Sequence, residues 1–305
     1  MKNLLRILIV ATFLGIVYYY SVVSDDGVAP LHGPNASNLA TPQRELGEKN
    51  SLAQQRPASG FSTYIGKNKD ELIAEFGVPT RIDKSNYKYE WWIYLNDASY
   101  TMFSVANDKI NQVYTNSINN DVSPYAIGQS LDDIYRMTII EAEVTVPIND
   151  NIYMLTMAEF DMRTRILVAF DGVYAQLYID EVEEKLVGIR YMDSETLVLH
   201  QPYELQYFGE AIQKDIPSSF DQVEIDYAYA TQLFDLVNIF RGKNNLQKLI
   251  KNDALDNVAK LHSEDMFFEN YLSHDSPNNG SLEERLTNHQ IEFKKSEENL
   301  ALAYY

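Results

Sequence analysis

The stretch that decides the fold lies near the C-terminus, where residues 262–286 read HSEDMFFENYLSHDSPNNGSLEERL and residues 296–301 read SEENLA. Just upstream, Asp253 can cap a helix, and apolar residues together with His262 then recur at steps of three and four. This spacing puts them on one face of a helix. The sequence therefore predicts an amphipathic helix that leads into the quoted stretch, with His262 as a hydrogen-bonded core histidine.

The middle of the stretch is predicted to be a loop that carries His274. Pro277 and the Asn-Asn-Gly run after it end any helix, because proline lacks a backbone N–H and Asn and Gly favour turns. Ser281 and Glu284 have the spacing of a capping box, which predicts that a second helix begins there. We expect His289, at the end of that helix, to lie on the surface.

These segments resemble the N-terminal half of the CAP domain, the superfamily of cysteine-rich secretory, antigen 5 and pathogenesis-related-1 proteins, in its bacterial, cysteine-free form. HSEDM, SHDSP and Glu-Asn-Leu-Ala occur in the family's order, after a first helix with an Asn/Arg pair and a Leu-x-x-Leu. The resemblance implies an α-β-α sandwich with a cleft that holds two His and two Glu. Beyond the quoted motifs, it is carried by Leu233, Val237, Asn238, Arg241, Leu246, Leu249, Gly280 and Arg285.

By position, His274 matches the family's first His and Glu298 the Glu of its Gly-Glu-Asn, with Glu297 in place of the Gly. The other Glu and His of the family lie downstream of position 305, so we expect a C-terminally incomplete CAP domain over residues 224–305. The resemblance makes His274 and Glu298 candidate catalytic residues and His274 a candidate zinc ligand. Such groups suit a divalent metal and equally suit general acid–base work. With half of the set present, the prediction leans against catalysis by the chain as given.

The N-terminus has the pattern of a membrane anchor. Lys2 and Arg6 precede the uncharged stretch Ile7–Val23, and two aspartates follow it. This charge order predicts a signal anchor or transmembrane helix over residues 1–24, with the bulk of the chain outside the cytoplasm. A cleaved signal peptide is the alternative, although no small-x-small cleavage site is present. Residues 25–60 are polar and aperiodic, which predicts a disordered tether.

The middle of the chain contains an internal repeat of one sequence pattern. A short helix follows Ile65-Gly66, aromatic and β-branched strands follow the helix, and the pattern returns at Ile127-Gly128. This predicts an α+β domain over residues 61–199, made of two helix-plus-antiparallel-meander copies, and an ordered connector over residues 200–223. Strands are predicted around 87–94, 100–105, 110–114, 152–157, 165–170, 176–180 and 186–191.

The middle domain resembles the CAP-associated N-terminal domain that precedes CAP domains in Gram-positive surface proteins. The resemblance is carried by IGKNKDELIAEFGVP, YEWWIY and IGQSLDDIY, and it implies no particular chemistry. The predicted fold class is therefore α+β: a transmembrane helix, a two-repeat meander domain and a partial α-β-α sandwich.

Composition narrows the function. The net charge of −19 argues against nucleic-acid binding, and the absence of cysteine excludes disulfides and thiol catalysis. The prediction is a membrane-anchored binding module at the cell surface, with the membrane itself and a cell-surface protein, lipid or wall ligand as partners. The alternative is a metal-assisted hydrolase with zinc in a complete His/Glu cleft. A truncated, poorly folded product is a third interpretation.

Overall fold

The computed structural model describes residues 34–39, 54–96, 99–214 and 216–301. These residues are α+β, with two sheets, a short 3-10 helix at Phe61–Tyr64 and seven α-helices. The strands are β1 (Ala36–Asn38), β2 (Arg81–Lys84), β3 (Glu90–Leu95), β4 (Tyr100–Ala106), β5 (Lys109–Thr115), β6 (Glu143–Ile148), β7 (Asn151–Thr156), β8 (Arg165–Phe170), β9 (Val173–Asp180), β10 (Lys185–Met192) and β11 (Glu204–Phe208). The helices are α1 (Lys69–Phe76), α2 (Leu131–Met137), α3 (Asp161–Thr164), α4 (Ser194–His200), α5 (Ser219–Lys243), α6 (Asp253–Phe268) and α7 (Leu282–Asn288).

The described residues fall into two compact units, one from Pro34 to Leu249 and one that begins at Ile250. The first unit holds all eleven strands and helices α1 to α5, and the second holds α6 and α7. β11 and the start of α5 lie within the predicted connector, residues 200–223.

The larger sheet has the strand order β2-β3-β4-β5-β10-β9-β8. Each predicted copy supplies one meander, and the two meanders join where β5 pairs antiparallel with β10, with Val113 opposite Tyr191. The copies therefore share one continuous sheet, so neither leaves an unpaired inner edge.

The two copies begin with the same turn. Gly66 and Gly128 have φ of +90° and +91°, a region that suits glycine because it has no Cβ. Gly66 N donates to Ile110 O and Gly128 N to Leu186 O, both at 2.7 Å. Each turn thus ties the start of its helix to the last strand of its own meander, as the internal repeat in the sequence suggests.

Helices cover one face of the larger sheet. Leu72 of α1 and Ile134 of α2 are fully buried there and pack in one core with Trp92, which is 6% exposed. Trp91 points to the opposite face and packs with Ile239 of α5, because neighbouring residues of a strand face opposite sides. The other half of that second face packs on the smaller sheet and α4, where Leu167 and Tyr174 meet Tyr153 and Leu197.

The smaller sheet has the order β1-β11-β7-β6 and includes a strand from the predicted tether. β1 pairs parallel with β11, and Leu205 N donates to Asn35 O at 2.8 Å. All three residues of β1 are exposed. Backbone hydrogen bonds hold this segment in place. Strands are predicted from alternating apolar side chains, and β1 has no such alternation, so the sequence gives no signal for it.

The predicted fold class needs two corrections. It includes a transmembrane helix, whereas within the residues that the structure describes no helix is both long and apolar enough to cross a membrane. The longest, α5, has 25 residues but contains charged side chains such as Asp221, Glu224 and Asp226. The segment for which the helix is predicted, residues 1–24, lies outside the described residues.

The second correction concerns the C-terminal part. The described residues from Ile250 to Ala301 form two helices joined by loops, and none of the eleven strands falls among them, so the α-β-α sandwich is wrong for this segment. The loops instead close local turns, such as the single bridge between Ser276 and Gly280, because Pro277 and the Asn-Asn-Gly run prevent an extended ladder.

Candidate functional site

Helix α6 supplies the floor of the site. Asn252, one residue before the predicted cap, accepts hydrogen bonds from the amides of Ala254 and Leu255 and starts the helix. Val258, His262 and Met266 form its buried face, as the periodicity predicts, although Leu255 is 43% exposed.

Two polar side chains of α6, three residues apart, anchor the loop that carries His274. The His262 ring, 3% exposed, contacts Ser273 O through Nε2 at 3.0 Å. Asp265 accepts hydrogen bonds from the Tyr271 hydroxyl and, at 2.7 Å, from Ser276 Oγ. These two bonds lower the pKa of Asp265, the Tyr271 bond more strongly. The loop is therefore fixed on both sides of His274.

A tight turn follows His274 and leads into α7. Ser276 and Gly280 exchange two backbone hydrogen bonds of 3.0 Å, and Gly280 has φ of +72°. Ser281 Oγ accepts from Glu284 N while the Glu284 carboxylate accepts from Ser281 N. This is the predicted capping box.

Arg285 of α7 lies at the centre of the site, with its side chain only 5% exposed. Nη1 donates to His274 O at 2.7 Å and to Gly280 O at 2.9 Å. Nη2 donates to both carboxylate oxygens of Glu298, at 2.7 and 2.8 Å. One guanidinium therefore joins the His-bearing loop, the turn and the segment after α7.

The two predicted site residues lie together. His274 Nδ1 is 3.1 Å from Glu298 Oε1, although the residues are 24 positions apart in the chain. The His274 side chain is 61% exposed and that of Glu298 is 19% exposed. Burial alone raises the pKa of Glu298, but the hydrogen bonds from Arg285 and His274 outweigh it and lower the pKa below the usual range. Glu298 is therefore a carboxylate at neutral pH.

Zinc needs more ligands than this arrangement offers. Structural zinc sites use four protein ligands and catalytic sites three, and among the described residues no group of three or more His, Asp or Glu could hold a metal ion. Both oxygens of Glu298 also accept hydrogen bonds from Arg285. His274 and Glu298 alone do not fit a zinc site. Their predicted catalytic and metal roles stay predictions.

Sequence reasoning missed Asp265 and Tyr271 and gave Arg285 no role in the site. The signal for Asp265 is its position three residues after His262, since residues at this spacing are neighbours on a helix surface. A partly buried carboxylate beside a core histidine would have pointed to a contact with the same loop.

Family models match two parts of the chain. The CAP-associated N-terminal model matches residues 65–203, and the cysteine-rich secretory protein (CAP) family model matches residues 234–303. The Bacillus subtilis membrane protein YlbC is 34% identical over 306 residues, which cover 100% of this chain and 87% of the relative. YkwD of the same organism is 34% identical over 74 residues, 24% of this chain and 29% of that protein.

Two crystal structures are similar. An extracellular protein with an SCP domain from Bacillus anthracis has a TM-score of 0.76 and 32% identity, covering 87% of this chain and 85% of that one. A cysteine-rich secretory protein from Staphylococcus aureus has a TM-score of 0.67 at 22% identity, covering 80% and 78%, and shows the shared fold. The resemblance drawn from the sequence is confirmed. The chain belongs to the CAP, or cysteine-rich secretory protein, family and carries a CAP-associated N-terminal domain ahead of its CAP segment.

Proposed function

We propose that this chain is a membrane-associated, extracytoplasmic CAP protein that binds a cell-surface ligand through the surface around His274. The similar protein from Bacillus anthracis is described as extracellular, and YlbC, similar over the whole chain, is named a membrane protein. The first supports a location outside the cytoplasm, and the second supports membrane association. The ligand classes are those expected from the sequence: a surface protein, a lipid or a wall polymer.

The main observation behind the proposed binding role is the contact between His274 Nδ1 and Glu298 Oε1, at 3.1 Å. The imidazole is largely exposed, while the loop beneath it is held through Ser273 and Ser276. A polar side chain fixed in this way can meet a ligand with little loss of conformational entropy.

The same geometry favours binding over hydrolysis. As a nucleophile, Glu298 would have to leave Arg285, because both of its carboxylate oxygens accept hydrogen bonds from that guanidinium. Breaking this pair would leave the buried Arg285 without its counter-ion, which is costly. The metal-assisted hydrolase, predicted as the alternative for a complete cleft, would therefore need a base or nucleophile other than Glu298.

Binding can be tested with the purified full chain on two surfaces: isolated Gram-positive cell-wall sacculi and phosphatidylglycerol vesicles. We expect binding to one of them, and His274→Ala to weaken it by about tenfold, the usual effect of losing one strong hydrogen bond. His289→Ala is the matched control, because this exposed histidine lies at the end of α7. Equal binding by both variants would contradict the role of His274, and binding to neither surface would exclude the lipid and wall-polymer classes.

A zinc titration of the full chain distinguishes the metal-assisted hydrolase from the binding protein. Zinc binding that is lost in His274→Ala and kept in His289→Ala would support the hydrolase interpretation.

The proposed location can be tested by cell fractionation. We expect to find the protein in the membrane fraction of producing cells, and we expect protease added outside intact cells to digest it. Recovery in the cytoplasmic fraction would contradict it.

A further inference from the structure

We propose that Arg285 is a positioning residue that fixes the tautomer of His274, with the proton on Nδ1, so that Nε2 is the nitrogen offered to a ligand. The ligand recognised at this site then has to donate a hydrogen bond, as a hydroxyl, an amide or an ammonium group does. This inference deepens the proposed function and rests on the same site.

The first step is the placement of Glu298. Arg285 has five N–H donors, and four hydrogen bonds of 2.7 to 2.9 Å use its two terminal nitrogens. Its side chain is 5% exposed, so water competes little for these bonds. The carboxylate is gripped through both oxygens, and a planar guanidinium fixes its orientation better than an ammonium would.

The second step is the direction of the hydrogen bond to His274. A carboxylate accepts and cannot donate, so the Nδ1···Oε1 contact of 3.1 Å requires a proton on Nδ1. The alternative neutral tautomer would set a nitrogen lone pair against a charged oxygen. The low pKa of Glu298, to which the Arg285 bonds contribute, agrees with its being ionised.

The third step concerns the nitrogen of His274 that remains available to a ligand. In the neutral ring one nitrogen donates and the other accepts, so a proton on Nδ1 leaves Nε2 as the acceptor. The ring is 61% exposed. Arg285 thus acts on ligand choice through Glu298 and His274 without touching the ligand. Without it, Glu298 would be free to rotate, and His274 would return to the Nε2–H tautomer that predominates in free histidine.

The experiment reads the tautomer directly, by two-bond 15N–1H correlation spectra of the 15N-labelled full chain at about pH 8, above the ordinary histidine pKa. We expect the Nδ1–H pattern for His274 in the wild type. Arg285→Met should shift it to mainly Nε2–H, and Arg285→Lys should restore part of the Nδ1–H population. The spectrum of His289 is the internal control.

Two results would overturn the inference: an Nε2–H pattern for His274 in the wild type, or an unchanged Nδ1–H pattern in folded Arg285→Met. If Arg285→Met fails to fold, Arg285→Lys tests the same step, because it keeps a positive charge beside Glu298 but lacks the planar guanidinium that fixes the carboxylate. That variant should show a smaller Nδ1–H population than the wild type, and an unchanged pattern would overturn the inference.

The tautomer is measured without ligand, so this test and the binding test fail separately. Loss of the Nδ1–H pattern in the wild type would remove the inference while His274 could still bind. Normal tautomer results with equal binding by His274→Ala and His289→Ala would remove the proposed role of His274 in binding and leave the role of Arg285 intact.

Discussion

Replacing Gly280 with alanine should open the site locally, through two separate costs. Gly280 has φ of +72°, where an L-residue with a Cβ loses about 1–2 kcal/mol. An added Cβ would also overlap Glu284 Oε2 and lie 2.9 Å from its Cδ. The glutamate would have to leave the capping box and lose its hydrogen bond from Ser281 N, and a lost hydrogen bond costs about 1 kcal/mol.

Together these costs come to about 2–3 kcal/mol, which corresponds to about 30- to 150-fold more frequent opening of the turn and the start of α7. Amide hydrogen exchange followed by mass spectrometry measures this opening for the peptides that cover residues 273–288. Global denaturation is a poorer assay, since the chain folds as two compact units and the change lies in one of them.

Two control variants separate the costs. Ser281→Ala removes the hydroxyl half of the capping box without strain or overlap at residue 280, and it should accelerate exchange by about fivefold. Gly128→Ala has the same sign of φ, at +91°, but no atom within 4 Å of the added Cβ, so it tests backbone strain alone in its own turn. If Gly280→Ala exchanges no faster than Ser281→Ala, the argument from steric overlap and strain is refuted.

Three further predictions concern the unit from Pro34 to Leu249. Burial, followed by the nearby charges of Arg190 and Lys214, lowers the pKa of His200 well below its ordinary value, so the unfolded chain binds a proton below about pH 6.5 that the folded chain does not. The unfolding free energy should therefore fall as pH drops below that value, and His200→Asn should flatten the fall in urea titrations. Deletion of residues 34–39 should speed exchange of the Leu205 amide, which loses its acceptor Asn35 O. Asp83→Asn should lower the unfolding free energy by about 2 kcal/mol, because buried Asp83 pairs with Arg81 at 2.6 Å.

Each of these has a clear opposite outcome. A pH profile of His200→Asn parallel to that of the wild type would show that His200 does not cause the loss in acid. The amides that pair β6 with β7 are the control for the deletion of residues 34–39. Unchanged hydrogen exchange at the Leu205 amide would show that β1 does not protect the edge of β11. An unfolding midpoint for Asp83→Asn equal to that of the wild type would mean that its ion pair adds nothing.

Much of the local structure is predicted by the sequence. Helices α1 and α2 follow Gly66 and Gly128 as the internal repeat predicts, because Gly77 and the capping residues act through neighbouring backbone groups. The capping box at Ser281 and the equivalent turns at Gly66 and Gly128 follow for the same reason. Trp91 and Trp92 face opposite sides of β3, as the alternation of a strand requires.

The candidate site is predicted in part. His274 and Glu298 came from a resemblance to a family, and the structure brings them to 3.1 Å. The roles of Arg285 and Asp265 were missed, because their partners lie 5 to 13 residues away in segments of irregular structure. No periodic pattern marks such contacts.

By itself, the sequence determined the features that depend on neighbours along the chain: where helices begin and end, which face of a strand is apolar, and which turns need glycine. Only the tertiary structure decided which elements pair. The joining of two meanders through β5 and β10, the addition of β1 to β11 and the grip of Arg285 on Glu298 are contacts between distant segments. Local patterns fix backbone angles and buried faces, whereas the choice among distant partners depends on the geometry reached when the whole unit packs.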